Sequence, residues 1–564
     1  MRRIYILVVM VLVMSLTPTS STKAQGGFYD FGGTVLNNDI ATWTDLYDLS
    51  FTSHNFGTAR SMAMGNAFTA LGADMVSASL NPAGVGMYLS GDVSFTPMIS
   101  VAKSNTTGQS YYDVAKTADN RMTRFVVPNF GVVVPVSMST GWLTNANFAV
   151  SYNRVANFNQ KRLMGSLDHS YTNSLANYFA TFSEEFSGDL NFNSSGGLAY
   201  GDPSKWDPFT WGAVLADNTG LISRNGDIWE NKTIGSDAFV DQYSTIETLG
   251  AVDEWSFAGG FNIIDKVYFG IAIGIQNIDY TRNIYYGEDY LYGNEGNDSG
   301  LVDQLLSTDY WQSTSFYGTG HNFKFGVTAR PAHWLRVGLA YHTPTFYSLE
   351  ISYAGAMKTI TSRIEPDKEE QIIENDAETP YFEEYGINSW RFRTPSRLLT
   401  GVAVTLGKRA IISADYERSW YQTIRLQEST IYGLDDIYKG YFKDVFKGSS
   451  TLRLGVEYYA LPALALRAGY IWSGSGVKDE YKFGLTSRPL PTEQSFLTAG
   501  LGLHLSKTAY IDLAYQYGTA HYTSIQPFYV AETVGGMTEP YIDSAIFDTK
   551  TTNQNFILTL GFRF

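Results

Sequence analysis

The chain has 564 residues, with 40 Lys and Arg against 55 Asp and Glu, for a formal charge of −15. So acidic a balance argues against nucleic acid as a partner, and the lack of cysteine excludes a disulfide framework and a lipid-anchored cysteine. Aromatic residues make up 15% and glycine supplies 53 positions, a mixture suited to strands and tight turns.

Residues 1–24 read as a secretory signal: Met1-Arg2-Arg3, an apolar run over 4–16, then small and polar residues up to Ala24. Cleavage there would remove Arg2, Arg3 and Lys23 and take the charge to −18. The run is too short to span a bilayer as a helix, and no later stretch offers ~18 apolar residues in succession. Residues 25–90 are expected to form an N-terminal arm and plug. The part over 25–56 is polar and aromatic with little period, which predicts an irregular arm. The spacing over 57–72 predicts a short helix with Ala59, Met62, Ala63, Ala67, Ala70 and Leu71 on one broad face. Asn81-Pro82-Ala83-Gly84 then breaks the path, because proline cannot continue a helix and glycine permits a reversal. A block of this size, rich in small residues, suits a plug inside a barrel; a periplasmic cap is the alternative.

Residues 91–564 alternate with period two. Strands are predicted near 92–101, 125–138, 145–158, 252–263, 266–282, 316–330, 333–353, 393–406, 408–421, 449–461, 463–474, 494–506, 508–518 and 551–564. Tight turns such as 264–265, 407–408 and 506–507 alternate with long polar loops, the largest over 159–251. This rhythm predicts an all-β fold, a 14-stranded antiparallel transmembrane barrel with long extracellular loops. An even count puts both termini on the periplasmic side of a Gram-negative outer membrane.

The strand faces separate cleanly. Ile511, Leu513, Tyr515 and Tyr517 oppose Asp512, Ala514 and Gln516; Leu452, Leu454, Val456 and Tyr458 oppose Arg453, Gly455 and Glu457. Aromatics such as Trp420, Tyr470, Trp472, Tyr515 and Tyr517 sit at the loop ends of the apolar faces, where a lipid–water boundary would hold them. A soluble β protein is also compatible with the alternation, but it would bury the apolar face in a dry core. The last ten residues put Phe556, Leu558, Leu560, Phe562 and Phe564 on one face. A final strand of this kind, ending in Phe564, is expected to engage the barrel-assembly machinery, with membrane lipids and lipopolysaccharide around the finished wall.

Within the long loop, Leu175, Tyr178, Phe179, Phe182 and Phe186 fall on one stripe of an amphipathic helix, a candidate outer groove for an apolar ligand. Packing against neighbouring loops is the other reading of that stripe. Arg336, Arg397 and Arg467 face the lumen and are candidates for holding a carboxylate head group; pairing with Asp415, Glu417 and Glu457 competes with that role. His342 and His504 also face inward, but no serine or acid stands at a spacing that would make a hydrolase, so no catalytic residue is expected. The acidic stretch 287–303 lacks the regular spacing of a calcium loop. Neither a metal nor a cofactor is expected.

Segments 57–60 (GTAR), 64–74 (MGNAFTALGAD) and 80–84 (LNPAG) resemble the plug signature of the FadL/TodX family. Segments 153–159 (NRVANFN) and 338–344 (GLAYHTP), Thr394-Pro395 and the terminal Phe564 are also similar. The likeness runs through the mature chain and is most specific in the plug block; the larger outer loops depart from it. The resemblance implies fourteen strands, passive uptake of long-chain fatty acids or other hydrophobic small molecules, and plug movement toward a lateral opening in the wall. It also assigns Asn81, Pro82, Ala83 and Gly84 to the plug motif, with Pro82 setting the turn and Asn81 bonding it. Some relatives with this barrel act as surface scaffolds in secretion without transporting, and a general porin is a third possibility that the plug block argues against.

Overall fold

The structure is a computed structural model that describes residues 43–51, 55–109, 114–116, 118–140, 142–168, 174–185, 187–188, 190–200, 210–226, 228–231, 238–292, 303–363, 368–379, 390–407, 409–428, 434–481, 489–525 and 546–564. The signal expected over 1–24 and the start of the arm lie outside these residues.

Alternating sequence closes the chain into one antiparallel ring of fourteen strands. They are β1 (Asp92–Gln109), β2 (Ala118–Thr140), β3 (Leu143–Asn157, resuming at Gln160–Asp168), β4 (Ala238–Ile263), β5 (Val267–Tyr292) and β6 (Asp303–Ala332). Next come β7 (Leu335–His342 and Phe346–Arg363), β8 (Trp390–Arg393 and Arg397–Leu406) and β9 (Ala410–Trp420 and Arg425–Glu428). The ring ends with β10 (Gly448–Leu461), β11 (Leu464–Ser473), β12 (Pro491–His504), β13 (Ala509–Tyr522) and β14 (Ile546–Arg563). β14 returns to β1, from Asp92 opposite Arg563 to Gln109 opposite Ile546, so the sheet has no free edge.

Expected turns are present at 264–265 and 506–507, while Lys408 of the turn at 407–408 lies outside the described residues. Ile264 and Asp265 both take left-handed backbone (φ 47 and 56), the geometry whose twist matches a two-residue hairpin. The Asp265 N–H donates to Asn262 Oδ1 at 3.0 Å and holds it. Pro344 and Pro395 lack the N–H that a ladder needs, and β7 and β8 are interrupted there. Across both breaks the Thr394 N–H still reaches the Thr345 carbonyl at 3.1 Å.

Outward side chains form the apolar belt that the alternation predicts. On β5, Phe269, Ile271, Ile273 and Ile275 are all exposed, while Gly270, Ala272, Gly274 and Gln276 face inward. On β14, Phe556, Leu560 and Phe562 are exposed, while Asn555, Ile557 and Thr559 are buried. Only a hydrocarbon layer would cover such a surface. Among the described residues no helix is long and apolar enough to cross a membrane.

Three strands run far past the belt: β4 and β5 have 26 residues each and β6 has 30, where about ten suffice to cross. Their upper outward positions are polar (Tyr243, Thr245, Glu247, Asn277, Asp279, Thr281), so the strand continues where the lipid-facing pattern stops. Much of what read as loop is therefore wall. The upper wall encloses an apolar cluster built on α4 (Leu175–Glu185) and α5 (Trp211–Asn218), after α1 (Trp43–Ser50), α2 (Ala59–Ala63) and α3 (Ser77–Leu80). α1 occupies part of the arm expected to be irregular. Its Leu46, Tyr47 and Leu49 are buried, and Tyr47 stacks on Phe446 with ring centroids 4.2 Å apart. Tertiary burial, more than local periodicity, makes this helix.

Candidate functional site

The segment 55–91 lies inside the ring and touches nearly every strand. Its first helix is shorter than the spacing suggested: α2 stops at Ala63, and Gly65 and Asn66 both turn left-handed (φ 60 and 52). The reason is contact with the wall. A Cβ on Gly65 would stand 2.8 Å from the Leu454 carbonyl oxygen and 2.9 Å from that of Tyr470. The wall answers with glycines of its own. Gly260, Gly270, Gly326, Gly338, Gly455 and Gly469 all face the segment, and at each an added Cβ would fall within 2.5 Å of it. Several are register neighbours, Gly260 opposite Gly270 and Gly270 opposite Gly326. Without side chains the wall accepts the segment backbone to backbone.

Buried charges fix it further. Arg60 makes a two-pronged contact to Glu457, 2.9 Å on each arm, and Arg467 donates to Glu457 at 2.7 Å and to Asp512 at 2.5 Å. Lys324 pairs with Glu254, and Ser79 joins them, accepting from Lys324 at 3.1 Å and donating to Glu254 at 2.8 Å. The Thr69 N–H donates to Asp415 at 2.7 Å, so this acid holds the segment's backbone. Asn81 accepts from the Ala83 N–H at 3.1 Å and donates to the Thr69 carbonyl at 2.5 Å. It caps a 3-10 helix over Pro82–Met87, where proline's missing N–H costs nothing at the first position. The path at 81–84 is thus a capped helical start instead of a plain reversal. Gly84 accepts from the Ala73 N–H at 3.0 Å.

The three candidate arginines do face inward, but each is engaged. Arg336 donates to the Leu71 carbonyl at 2.5 Å, Arg397 lies 3.8 Å from Glu417, and Arg467 is held as above. Glu417 also takes Arg453 at 2.7 Å. His342 Nε2 stands 2.9 Å from the Leu80 carbonyl and serves the segment. His504 stacks beside Tyr459, with centroids 6.5 Å apart.

The stripe in α4 differs from the expected outer groove. Leu175, Tyr178, Phe179 and Phe182 are buried, packed into the apolar cluster with Trp211 and Tyr310, and Phe186 lies outside the described residues. The periodicity located the apolar face correctly, but the tall wall covers it. The Leu175 N–H at the start of α4 is capped by buried Glu288 on β5 at 2.9 Å.

One sector is built differently. β2 and β3 pair only from Asn129 opposite Asn153 down to Thr140 opposite Leu143. Above that level residues 118–128 pair with β1 alone, and 154–157 and 160–168 pair with β4, a short strand over Val114–Lys116 rejoining β3 only at 165–167. Among the described residues the wall is unladdered in between. Opposite the break in β3, Gly250 adopts φ 105 and accepts from the Phe158 N–H at 3.0 Å. Only glycine fits there, since a Cβ would lie 1.9 Å from the Asp279 carbonyl oxygen.

Inside this sector is a cavity of about 80 Å³, bounded by the arm (Asp48, Asn55), the broken β3 (Asn157, Gln160, Arg162) and the inner faces of β1 and β12–β14 (Ser100, Gln494, Gln516, Asn555). On the lipid side, Pro97 interrupts the β1–β2 register, and an apolar hollow of about 780 Å³ opens among Ile99, Phe125, Leu501, Leu513 and Phe556. The sequence signal for the cavity was available in the amides at 516, 553 and 555, on inward or neighbouring positions of the last two strands.

Comparison with known proteins fits this geometry. Solved structures similar to the chain include a Pseudomonas aeruginosa FadL homologue (11% identity, TM-score 0.46, covering 91% of this chain and 98% of that one). The P. putida toluene transporter TodX has 12% identity, a TM-score of 0.43 and coverage of 92% and 99%. The Ralstonia pickettii toluene transporter TbuX has 14%, 0.42, and 91% and 99%. No curated protein sequence matches the chain. The family model described as outer membrane protein transport protein (OMPP1/FadL/TodX) matches residues 205–564, more than half of the chain. The protein therefore belongs to the OMPP1/FadL/TodX family of outer membrane transport proteins.

Proposed function

We propose that this protein carries hydrophobic small molecules, such as long-chain fatty acids or aromatic hydrocarbons, down their gradient across the outer membrane. Segment 55–91 acts as the plug, and the unladdered sector between β2 and β3 serves as the side exit. The observation that carries the reading is the missing ladder between β2 and β3 together with a cavity that reaches the broken β3; an apolar hollow lies beside this sector on the lipid face, over β12–β14 and β1. A molecule leaving sideways stays in apolar surroundings, and each CH₂ kept from water is worth about 0.8 kcal/mol. The polar layer outside and the watery path of a porin offer no such shelter. Nothing in this scheme needs an energy source or bond chemistry, so the protein acts as a channel and not as an enzyme.

The chain has no cysteine, which makes a direct test clean. Cysteines replacing Val127 and Val155, opposite one another if the β2–β3 register continued, would be joined by a short reducible cross-linker. Uptake of radiolabelled oleate or toluene by cells that depend on this protein is expected to fall several-fold and to return on reduction. Full cross-linking without loss of uptake would remove the side exit.

A second reading, a surface scaffold or secretion component without transport, is favoured by the tall wall over β4–β6 and its solid core. Oleate and toluene uptake equal to that of cells lacking the protein, together with a co-purifying exported partner, would select it.

A further inference from the structure

We infer that the cavity behind the unladdered wall is a head-group site for neutral amphiphiles bearing hydroxyl or amide groups, which narrows the substrate class of the proposed transport and rests on that reading. The lining is dominated by side-chain amides: Asn55, Asn157, Gln494, Gln516 and Asn555, with Arg162 at the rim of the broken strand. Four buried atoms of these residues have no hydrogen-bond partner among the described residues: Asn55 Oδ1, Gln516 Nε2, Asn555 Oδ1 and Arg162 Nε. Their residues are between 0% and 4% exposed. Buried polar atoms are nearly always satisfied, so four unused ones on residues lining one cavity mark donors and acceptors that a turn of those side chains would offer to a ligand.

The chemistry of the set argues against both simpler ligands. A bare hydrocarbon would leave all four atoms unpaired, the situation in which polar sites reject apolar analogues most strongly. An anionic head would need concentrated positive charge. Arg162 is the one cation in the lining, its Nη2 is taken by Gln160 at 2.5 Å, its plane covers the Tyr522 ring at 4.3 Å, and Asp48 faces the same space. What remains is an even mixture of donors and acceptors, as carried by amides that already bond one another: Asn555 donates to Gln516 at 2.8 Å and Asn55 to Gln494 at 3.4 Å. A glycerol, sugar or amide head complements such a mixture. The cavity's size admits only a head of a few heavy atoms, and the apolar hollow stands back to back with it across β13, β14 and β1, where Tyr515, Phe556 and Ile99 are the outward neighbours of Gln516, Asn555 and Ser100. That part of the wall is fully laddered, so the alkyl chain would leave through the unladdered gap beside the broken β3, where Asn157, Gln160 and Arg162 line the cavity.

The test uses the full chain in phospholipid nanodiscs and three probes of one chain length, 1-monolauroylglycerol, laurate and dodecane, competed and read by native mass spectrometry. Retention of monolauroylglycerol about tenfold above the other two is expected, roughly the effect of one hydrogen bond gained. The paired change Gln516→Leu and Asn555→Leu should bring the preference close to one while leaving dodecane binding unchanged. Equal retention of all three would overturn the head-group site, water then filling the cavity, and leave hydrophobic transport standing. Preference for laurate would overturn it in favour of an anion site. Binding of none would overturn both. The ranking on unmodified protein decides alone, so a variant that fails to fold rescues nothing.

Discussion

The wall from β4 to β11 and the wall from β12 round to β3 hold the same internal segment in contrasting ways. On the first side glycines let backbone meet backbone, and buried ion pairs (Lys324 with Glu254, Arg453 with Glu417, Arg60 with Glu457) lock segment and strands together. On the second side single uncharged hydrogen bonds hold the segment, Ala59 to Thr559 and Thr498 to Ala63 among them, and above α2 there are amides with atoms left over among the described residues, a cavity and a missing ladder. A plug must be both retained and displaced. Under the proposed plug role, firm fixing on one flank and looser fixing on the other would give it a hinge side and a moving side.

Substitutions should expose this asymmetry. Glu254→Gln strands the Lys324 charge in a buried site and should cost about 3–5 kcal/mol, read as an earlier loss of the compact, fast-migrating form when detergent-solubilised protein is heated before electrophoresis. A loss no larger than that of a surface change would mean the firm flank is not firm. Gly270→Leu drives a side chain into Pro82, whose carbonyl carbon would lie 2.0 Å from the new Cβ. Overpacking of that kind costs about 1–3 kcal/mol, and expulsion of the segment should appear as porin-sized conductance in planar bilayers. On the loose flank, Gln516→Leu removes one hydrogen bond and should cost only about 1 kcal/mol, with conductance unchanged.

A further effect concerns acidity at the loose flank. Burial lifts the Asp48 carboxyl to about 7 against the opposing pull of Arg162 and Arg282, Asp45 adding to the rise. Below pH 4 the group is protonated folded or unfolded and contributes nothing. As pH climbs from about 4 to about 7 the unfolded chain gives up its proton first, so the folded state loses ground, and Asp48→Asn should abolish that slope. Melting temperatures of both forms across that range provide the check; parallel curves would remove Asp48 from the account.

Much of this architecture could be read from the amino acids because lipid imposes a strict rule on each outward position. Leu454, Val456, Tyr458 on one strand and Ile271, Ile273, Ile275 on another obey it, and the count of fourteen follows. Where lipid stops, the rule stops: β5 continues through Asn277, Asp279 and Thr281 as strand, with backbone ladders alone to keep it straight. The α4 stripe was visible as apolar, but what covers Phe179 includes Tyr310, more than a hundred positions away. The glycine-lined track was legible only as small residues on inward faces. Its meaning depends on which chain passes over it, and that is a tertiary fact. The cavity's amides are dispersed over four strands and the arm, and no local pattern gathers them.

The Ala59 N–H finds its acceptor on Thr559, 500 residues further along. Translation and export deliver the one long before the other, and a ring cannot enclose anything until its closing pair exists. The earlier-made segment must therefore wait, unsatisfied, while some four hundred and seventy residues of wall are laid down. Slow assembly is the general fate of contacts so distant. Here it sets an order: enclosure first, then docking of the occupant.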